Sequence, residues 1–125
     1  MRRIGLAAGL ILVASLAAIL IAVFLPEAPP QPDAPVGLEI YARFCASCPG
    51  RSGRGSWRAT LSLIRPGNLT DRSHMQGLTD QYLADLIKHG GAPIGKPGMP
   101  AFGFHLTDDE IRELAAYLRS LSAAR

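Results

Sequence analysis

Two thiols and one thioether are the side chains whose types and spacing suggest chemistry. Cys45 and Cys48 stand three apart in the run Phe44-Cys45-Ala46-Ser47-Cys48-Pro49-Gly50. Residues at that spacing share a face on a helical turn, so both thiols can add to the two vinyl groups along one edge of a haem. Cys-x-x-Cys followed by His is the signature of that attachment, with the imidazole bound to iron. Here the residue after Cys48 is Pro49. Proline has no side-chain donor atom and biases the residue before it away from helical angles. Towards the other end, Met99 lies in Gly95-Lys96-Pro97-Gly98-Met99-Pro100-Ala101-Phe102. A thioether is a soft ligand that suits haem iron and raises its reduction potential. Its place in a loop flanked by prolines, off any helical stripe, separates Met99 from the methionines that merely fill cores.

The same two cysteines admit other chemistry. In an oxidising compartment they can close a disulfide, which would suit a haem-free accessory or structural subunit. Thiol–disulfide exchange through Cys-x-x-Cys is a third reading, but that motif usually follows a strand of an α/β fold, and no strand pattern is visible. Zinc is weaker still, because His74, His89 and His105 do not fall at finger spacing from the cysteines. His74, in a polar turn beside Met75, is a remote candidate for iron, and the other two histidines are less suited.

The elements that must position these groups are helical. Residues 36–44 read as a short helix ending at the cysteines, with Gly37, Ile40, Tyr41 and Phe44 on one face. A glycine-rich loop covers 51–55. Residues 56–65 are ambiguous, with Trp57, Leu61 and Ile64 at the spacing of a helical turn. Pro66-Gly67-Asn68 is a turn. Thr79 caps a helix through Tyr82, Leu83, Leu86 and Ile87 that Gly90-Gly91 stops. Residues 92–104 hold three prolines and three glycines, an irregular loop. Thr107-Asp108-Asp109-Glu110 is a capping box. It opens a last helix whose stripe is Ile111, Leu114, Ala115, Leu118 and Leu121, with Tyr117 alongside. The fold class expected is all-α with long loops. Loops of that length need an explanation in a small domain, and a large buried apolar group supplies one.

The 125 residues divide into three parts. Residues 1–25 are an expected membrane anchor: Arg2 and Arg3 precede an uncharged apolar run over 4–25, about 33 Å as a helix. That run is longer than the apolar region of a cleaved signal and lacks an Ala-x-Ala site. The arginines would stay cytoplasmic, leaving the remainder on the periplasmic side of a bacterial inner membrane as a single-pass protein. Residues 26–35, with five prolines, are a linker expected to be extended, up to about 30 Å. Residues 36–125 form the functional domain. The net charge is +3, unevenly spread: 43–72 carry six arginines and one acid, 108–113 four acids and one arginine. A basic surface near the cysteines suits steering of an acidic partner. No groove-reading motif or aromatic platform accompanies it, so nucleic acid is not an expected partner.

In this order and spacing, the motifs resemble those of the class I monohaem cytochromes c over residues 36–121. Gly37-x-x-x-Tyr41 resembles the family's first helix, crossed closely by the last, with Tyr117-Leu118 on the partner side. Pro66-x-Asn68-Leu69-Thr70 is similar to the loop after the haem motif. Ile87-Lys88-His89-Gly90-Gly91 and Gly98-Met99-Pro100-Ala101-Phe102 resemble the segments that lead to and carry the sixth ligand. The resemblance implies a cytochrome c-like domain that binds one covalent haem c and is an electron carrier, not an enzyme. Cys45 and Cys48 would hold the haem, Met99 the iron, and Phe44, Leu69, Phe102 and Phe104 would line the pocket. The implied partners are the lipid bilayer and a redox protein or a larger respiratory or photosynthetic complex. Pro49, in place of the family's axial histidine, is the departure.

Overall fold

The computed structural model describes residues 2–25, 30–56, 59 and 65–123, without the side chains of 2–6 and 8. Among the described residues, five α-helical segments follow one another: α1 (Arg2–Phe24), α2 (Val36–Ile40), α3 (Arg72–Gln76), α4 (Asp80–His89) and α5 (Asp108–Ala123). A π-helical turn over Tyr41–Cys45 continues α2, and a 3-10 turn over Ala92–Ile94 follows α4. Among the described residues there is no strand. Most of the ambiguous stretch 56–65, including Trp57, Leu61 and Ile64, lies outside the described residues; Ala59 within it is buried.

The domain is organised around α5. Its Ile111, Leu114, Ala115 and Leu118 are buried, whereas Leu121 is only partly covered and Ser122 is buried beside it. Thr107 and Glu110 build the anticipated cap: the Thr107 N–H donates to Glu110 Oε2 at 2.8 Å, and the Glu110 N–H donates to Thr107 Oγ1 at 3.3 Å. The Thr107 N–H, together with the Thr107 hydroxyl that donates to the same Oε2 at 2.9 Å, holds the Glu110 carboxyl below its usual range. α2 crosses α5, and the crossing is close. A Cβ on Gly37 would stand 2.8 Å from Tyr117 Cβ and run into the Glu113 carbonyl oxygen. One turn on, the Tyr41 and Tyr117 rings pack with centroids 5.2 Å apart.

Two features of the frame depart from the expectations. The residues around His74 are not a simple turn but helix α3, whose N-cap Asp71 accepts a bond from the His74 N–H at 3.2 Å. Five mostly polar residues carry too little periodicity to be read as a helix; the cap and the burial of Met75 define it. The proline-rich linker is not extended throughout: residues 32–33 turn, with the Ala34 N–H donating to the Gln31 carbonyl at 3.0 Å.

Arg119 ties α5 to the α3–α4 junction. Its guanidinium donates to the Met75 carbonyl at 3.0 Å and the Leu78 carbonyl at 2.5 Å, and pairs with Asp80. Asp80 is largely exposed, so the carbonyl bonds matter more than the ion pair. Arg119→Ala is expected to lower stability by about 2 kcal/mol, the scale for bonds to a charged donor. Arg119→Lys should recover less than half of it, because an ammonium cannot fork between the two carbonyls. Urea unfolding of both variants measures this.

α1 stands apart in character. Its described large side chains, among them Leu10, Ile11, Leu12, Leu16, Ile19 and Phe24, are exposed on every side. Among the described residues no helix is long and apolar enough to cross a membrane.

Candidate functional site

The elements enclose one large cavity of about 880 Å³, in the upper part of the range for cofactor sites. Six of the seven residues singled out from the sequence meet there: Phe44, Cys45, Cys48, Leu69, Met99 and Phe102 all line it. Phe104 does not. It is 96 % exposed, because the chain turns after Phe102: the His105 and Leu106 N–H groups both donate to the Phe102 carbonyl at 2.9 Å, and Leu106 is the residue buried instead.

The cysteine wall is built on α2. Tyr41, buried in the core, donates its hydroxyl to the Gly50 carbonyl at 2.6 Å and so pins the loop beyond the thiols. Burial, with a further push from the thiol of Cys48, raises the Cys45 thiol to about 11. Both cysteines are free and half-buried. Exchange catalysis needs a lowered thiol pKa, so the environment of Cys45 argues against an oxidoreductase. In haem-free chain, alkylation of Cys45 by iodoacetamide should be slow at pH 7 and accelerate about tenfold per pH unit until near pH 11. Tryptic mapping at several pH values reads this rate, and a plateau near pH 8 would contradict it.

The methionine wall is fixed by the end of α4. Thr79 caps that helix by accepting from the Tyr82 N–H at 3.1 Å, and Gly90 ends it at φ 78°, a left-handed angle that favours glycine. A Cβ on Gly90 would lie 2.9 Å from the Met99 carbonyl oxygen, and one on Gly91 2.9 Å from Met99 Cβ. The Gly91 N–H donates to the Met99 carbonyl at 3.0 Å, and the Phe102 N–H to the Ile87 carbonyl at 3.0 Å. The loop that carries Met99 is therefore stitched to the helix end on both sides of it. The Phe102 ring, 5.8 Å from that of Phe44, joins the two walls.

The sequence did not single out several other parts of the lining. Tyr41 and Met75 reach the cavity although both are almost wholly shielded from solvent, and α4 contributes Leu83, Leu86 and Ile87. The helical stripe of α4 was the available signal, although the same stripe also packs against α5. His74 also lines the cavity, whereas His89 and His105 do not. Among the described residues no three His, Cys, Asp or Glu side chains cluster to hold a bare metal ion.

The donor set fits a flat apolar macrocycle bound through sulfur. Two free thiols stand on one wall, a thioether lines the same space, and the rest of the lining is mainly aliphatic and aromatic. The fit is incomplete at one point, for Pro49 lines the cavity with a ring that has no lone pair to offer.

The family described as "Cytochrome C oxidase, cbb3-type, subunit III" matches residues 32–118. The cbb3-type cytochrome c oxidase subunit FixP of Azorhizobium caulinodans is 30% identical over 94 residues, which are 75% of this chain and 29% of that protein. The chain thus spans less than a third of that relative's length. Among solved structures, the KustC0563 c-type cytochrome superposes with a TM-score of 0.59 at 20% identity, covering 68% of this chain and 95% of the other. That likeness is one of fold.

Proposed function

Because the chain belongs to the cytochrome c family described as cytochrome c oxidase, cbb3-type, subunit III, we propose that it is a membrane-anchored electron carrier with one covalently bound haem c. The observation that carries this reading is the convergence of Cys45, Cys48 and Met99 on one cavity of cofactor size. Each cysteine would add its sulfur and its hydrogen across one vinyl double bond, forming a thioether with nothing released and no oxidant consumed. Met99 would bind iron, and the bound group would supply one-electron redox chemistry. The protein's own work is to exclude water and hold the donors. Leu83, Ile87, Leu114 and Leu118 give the cavity a dry floor, which favours the less charged state of a buried redox group and so its reduction. Stitching Met99 to the end of α4 limits rearrangement when charge changes.

The anchor rests on the sequence of 4–25 and on the exposed apolar side chains of α1. Arg2 and Arg3 would remain cytoplasmic, and the domain would face the periplasm. FixP is named as a subunit of a cbb3-type oxidase, and a respiratory complex of that kind is the partner we propose. The basic stretch 43–72 would steer an acidic face towards the cysteine edge.

Potentiometric titration of the purified full chain tests this reading. A single reversible one-electron wave is expected, and Met99→Ala should lower the midpoint, since loss of a thioether disfavours the reduced state. A coloured protein whose spectrum does not change between dithionite and ferricyanide would overturn it. The anchor is tested separately: the full chain should stay with membranes after a carbonate wash, and release would contradict it. The haem-free alternative, with a Cys45–Cys48 disulfide, predicts a colourless chain.

A further inference from the structure

Residues 30–35 belong to the proline-rich linker, yet they are built onto the domain. Beyond the turn at 32–33, the Pro35 carbonyl accepts from the Leu38 N–H at 2.9 Å and the Glu39 N–H at 3.1 Å, which fixes the linker to the start of α2. Pro30, Gln31 and Pro32 line a second cavity of about 350 Å³ together with Glu39, Ala42 and Arg43. That volume is at the lower end of the range for small-ligand sites. Glu39 and Arg43 have the order and spacing in which a carboxylate and a cation usually pair on a helix. Here they do not: among the described residues neither side chain forms an ion pair or a hydrogen bond. Between them α2 passes into the π-helical turn over Tyr41–Cys45, whose wider spiral takes the two charges off the α-helical register. The cleft is thus edged by one anion and one cation, with the Gln31 amide and an apolar remainder from Ala42 and the two prolines.

Chain length says where this cleft stands. Leu25 ends the apolar run, and Pro30 follows five residues later, at most about 18 Å away in extended chain. The headgroup layer is itself about 5–7 Å thick on each side of the hydrocarbon. Resting on the anchor reading above, we infer that the cleft between the linker and α2 holds the headgroup of a phosphatidylethanolamine-type lipid from the bilayer that holds the anchor. Chemistry selects the class. The Arg43 guanidinium is a fork that matches two phosphate oxygens. The Glu39 carboxylate accepts from a primary ammonium, which carries three N–H donors. A quaternary ammonium has none and is recognised by an aromatic cage, which this lining does not contain. A headgroup without an ammonium leaves Glu39 beside the phosphate with nothing to offset the repulsion. Occupation of the cleft sets how high the domain stands above the membrane, in place of a free stalk.

Hydrogen exchange of the full chain in phosphatidylcholine vesicles, with and without phosphatidylethanolamine, decides the matter. The amides of residues 36–43 are expected to exchange about tenfold more slowly when the ethanolamine lipid is present, the factor for a ligand at about ten times its Kd. Arg43→Gln and Glu39→Gln should each lose that slowing while matching the parent in phosphatidylcholine alone, which separates headgroup contact from a change in helix stability. For a chain that stays with membranes after a carbonate wash, exchange that ignores the ethanolamine lipid, or slowing that survives both substitutions, overturns this inference alone. Equal slowing by phosphatidylglycerol also overturns it, since no ammonium would then be read. Slowing in detergent by micromolar dissolved phosphoethanolamine would make a free phosphoamine the ligand and overturn the lipid assignment. Release of the chain by carbonate overturns this inference together with the anchor reading.

Discussion

Replacing Cys45 and Cys48 together by serine is expected to abolish retention of haem after acid–acetone extraction, from about one per chain to none. Serine keeps the size of each side chain but cannot form the thioether, so the loss reports on sulfur rather than packing. Both positions are half-buried on the same cavity wall, which is why the single variants should each retain pigment by the remaining bond. The pair matters more here than with an intact motif. Without a nitrogen donor at residue 49, the thioethers and Met99 would be the principal attachments in the proposed reading. Chelation by two thioethers would confine the group beside Met99, and the effective concentration this provides would be lost with both bonds. The measurement is the Soret absorbance of washed, extracted protein. Undiminished pigment in the double serine variant would mean that the cavity holds its group by contacts other than the ones assigned.

Gly37→Ala is expected to destabilise the domain by about 3 kcal/mol, opposite in sign to the usual effect. In an ordinary helix alanine is better than glycine by roughly 0.5–1 kcal/mol. At Gly37 the new methyl would strike the Glu113 carbonyl oxygen and stand 2.8 Å from Tyr117 Cβ. One contact is backbone and the other the root of a side chain, so neither yields by a rotamer change. Relief requires separating α2 from α5, which uncovers Tyr41, 1 % exposed, and Leu114, fully buried. Overpacking of this kind costs about 1–3 kcal/mol and more where backbone must move, a large share of a small domain's stability. The variant should also loosen the cysteine loop on mild heating, because the Tyr41 hydroxyl that pins that loop rides on the turn that continues α2. Denaturant unfolding measures the first effect; an unchanged midpoint would show that the crossing is looser than its geometry implies.

Much of this architecture is legible in the residues, and the reasons differ by element. The last helix announces itself through the Thr107–Glu110 cap and its apolar stripe, and α4 through Thr79 and Gly90, because capping and periodicity are local. Gly37 and Tyr41 could be assigned to a helix crossing only through their resemblance to a known pattern, since nothing local tells a packed glycine from a flexible one. Helix α3 escapes because its cap and its single buried residue, Met75, acquire meaning only against α5 and Arg119. Phe104 misleads for a related reason. An aromatic residue two along from Phe102 looks like pocket lining, but a turn between them faces it outward and brings Leu106 in. The cavity wall was read in part: the sulfur donors and Phe44, Leu69 and Phe102 stand in motifs, whereas the contributions of His74 and Met75 depend on where α3 docks.

One measurement bears most directly on the central claim, that sulfur from Cys45 and Cys48 holds a haem in this cavity. The intact mass of the purified full chain is taken under denaturing, non-reducing conditions, with peptide mapping of residues 44–51. A chain heavier by one haem, with the added mass on the peptide containing both cysteines and unchanged by reductant, is the expected result. A chain at the bare polypeptide mass, or lighter by two hydrogens that reductant restores, would contradict the account and leave a disulfide or two free thiols in its place.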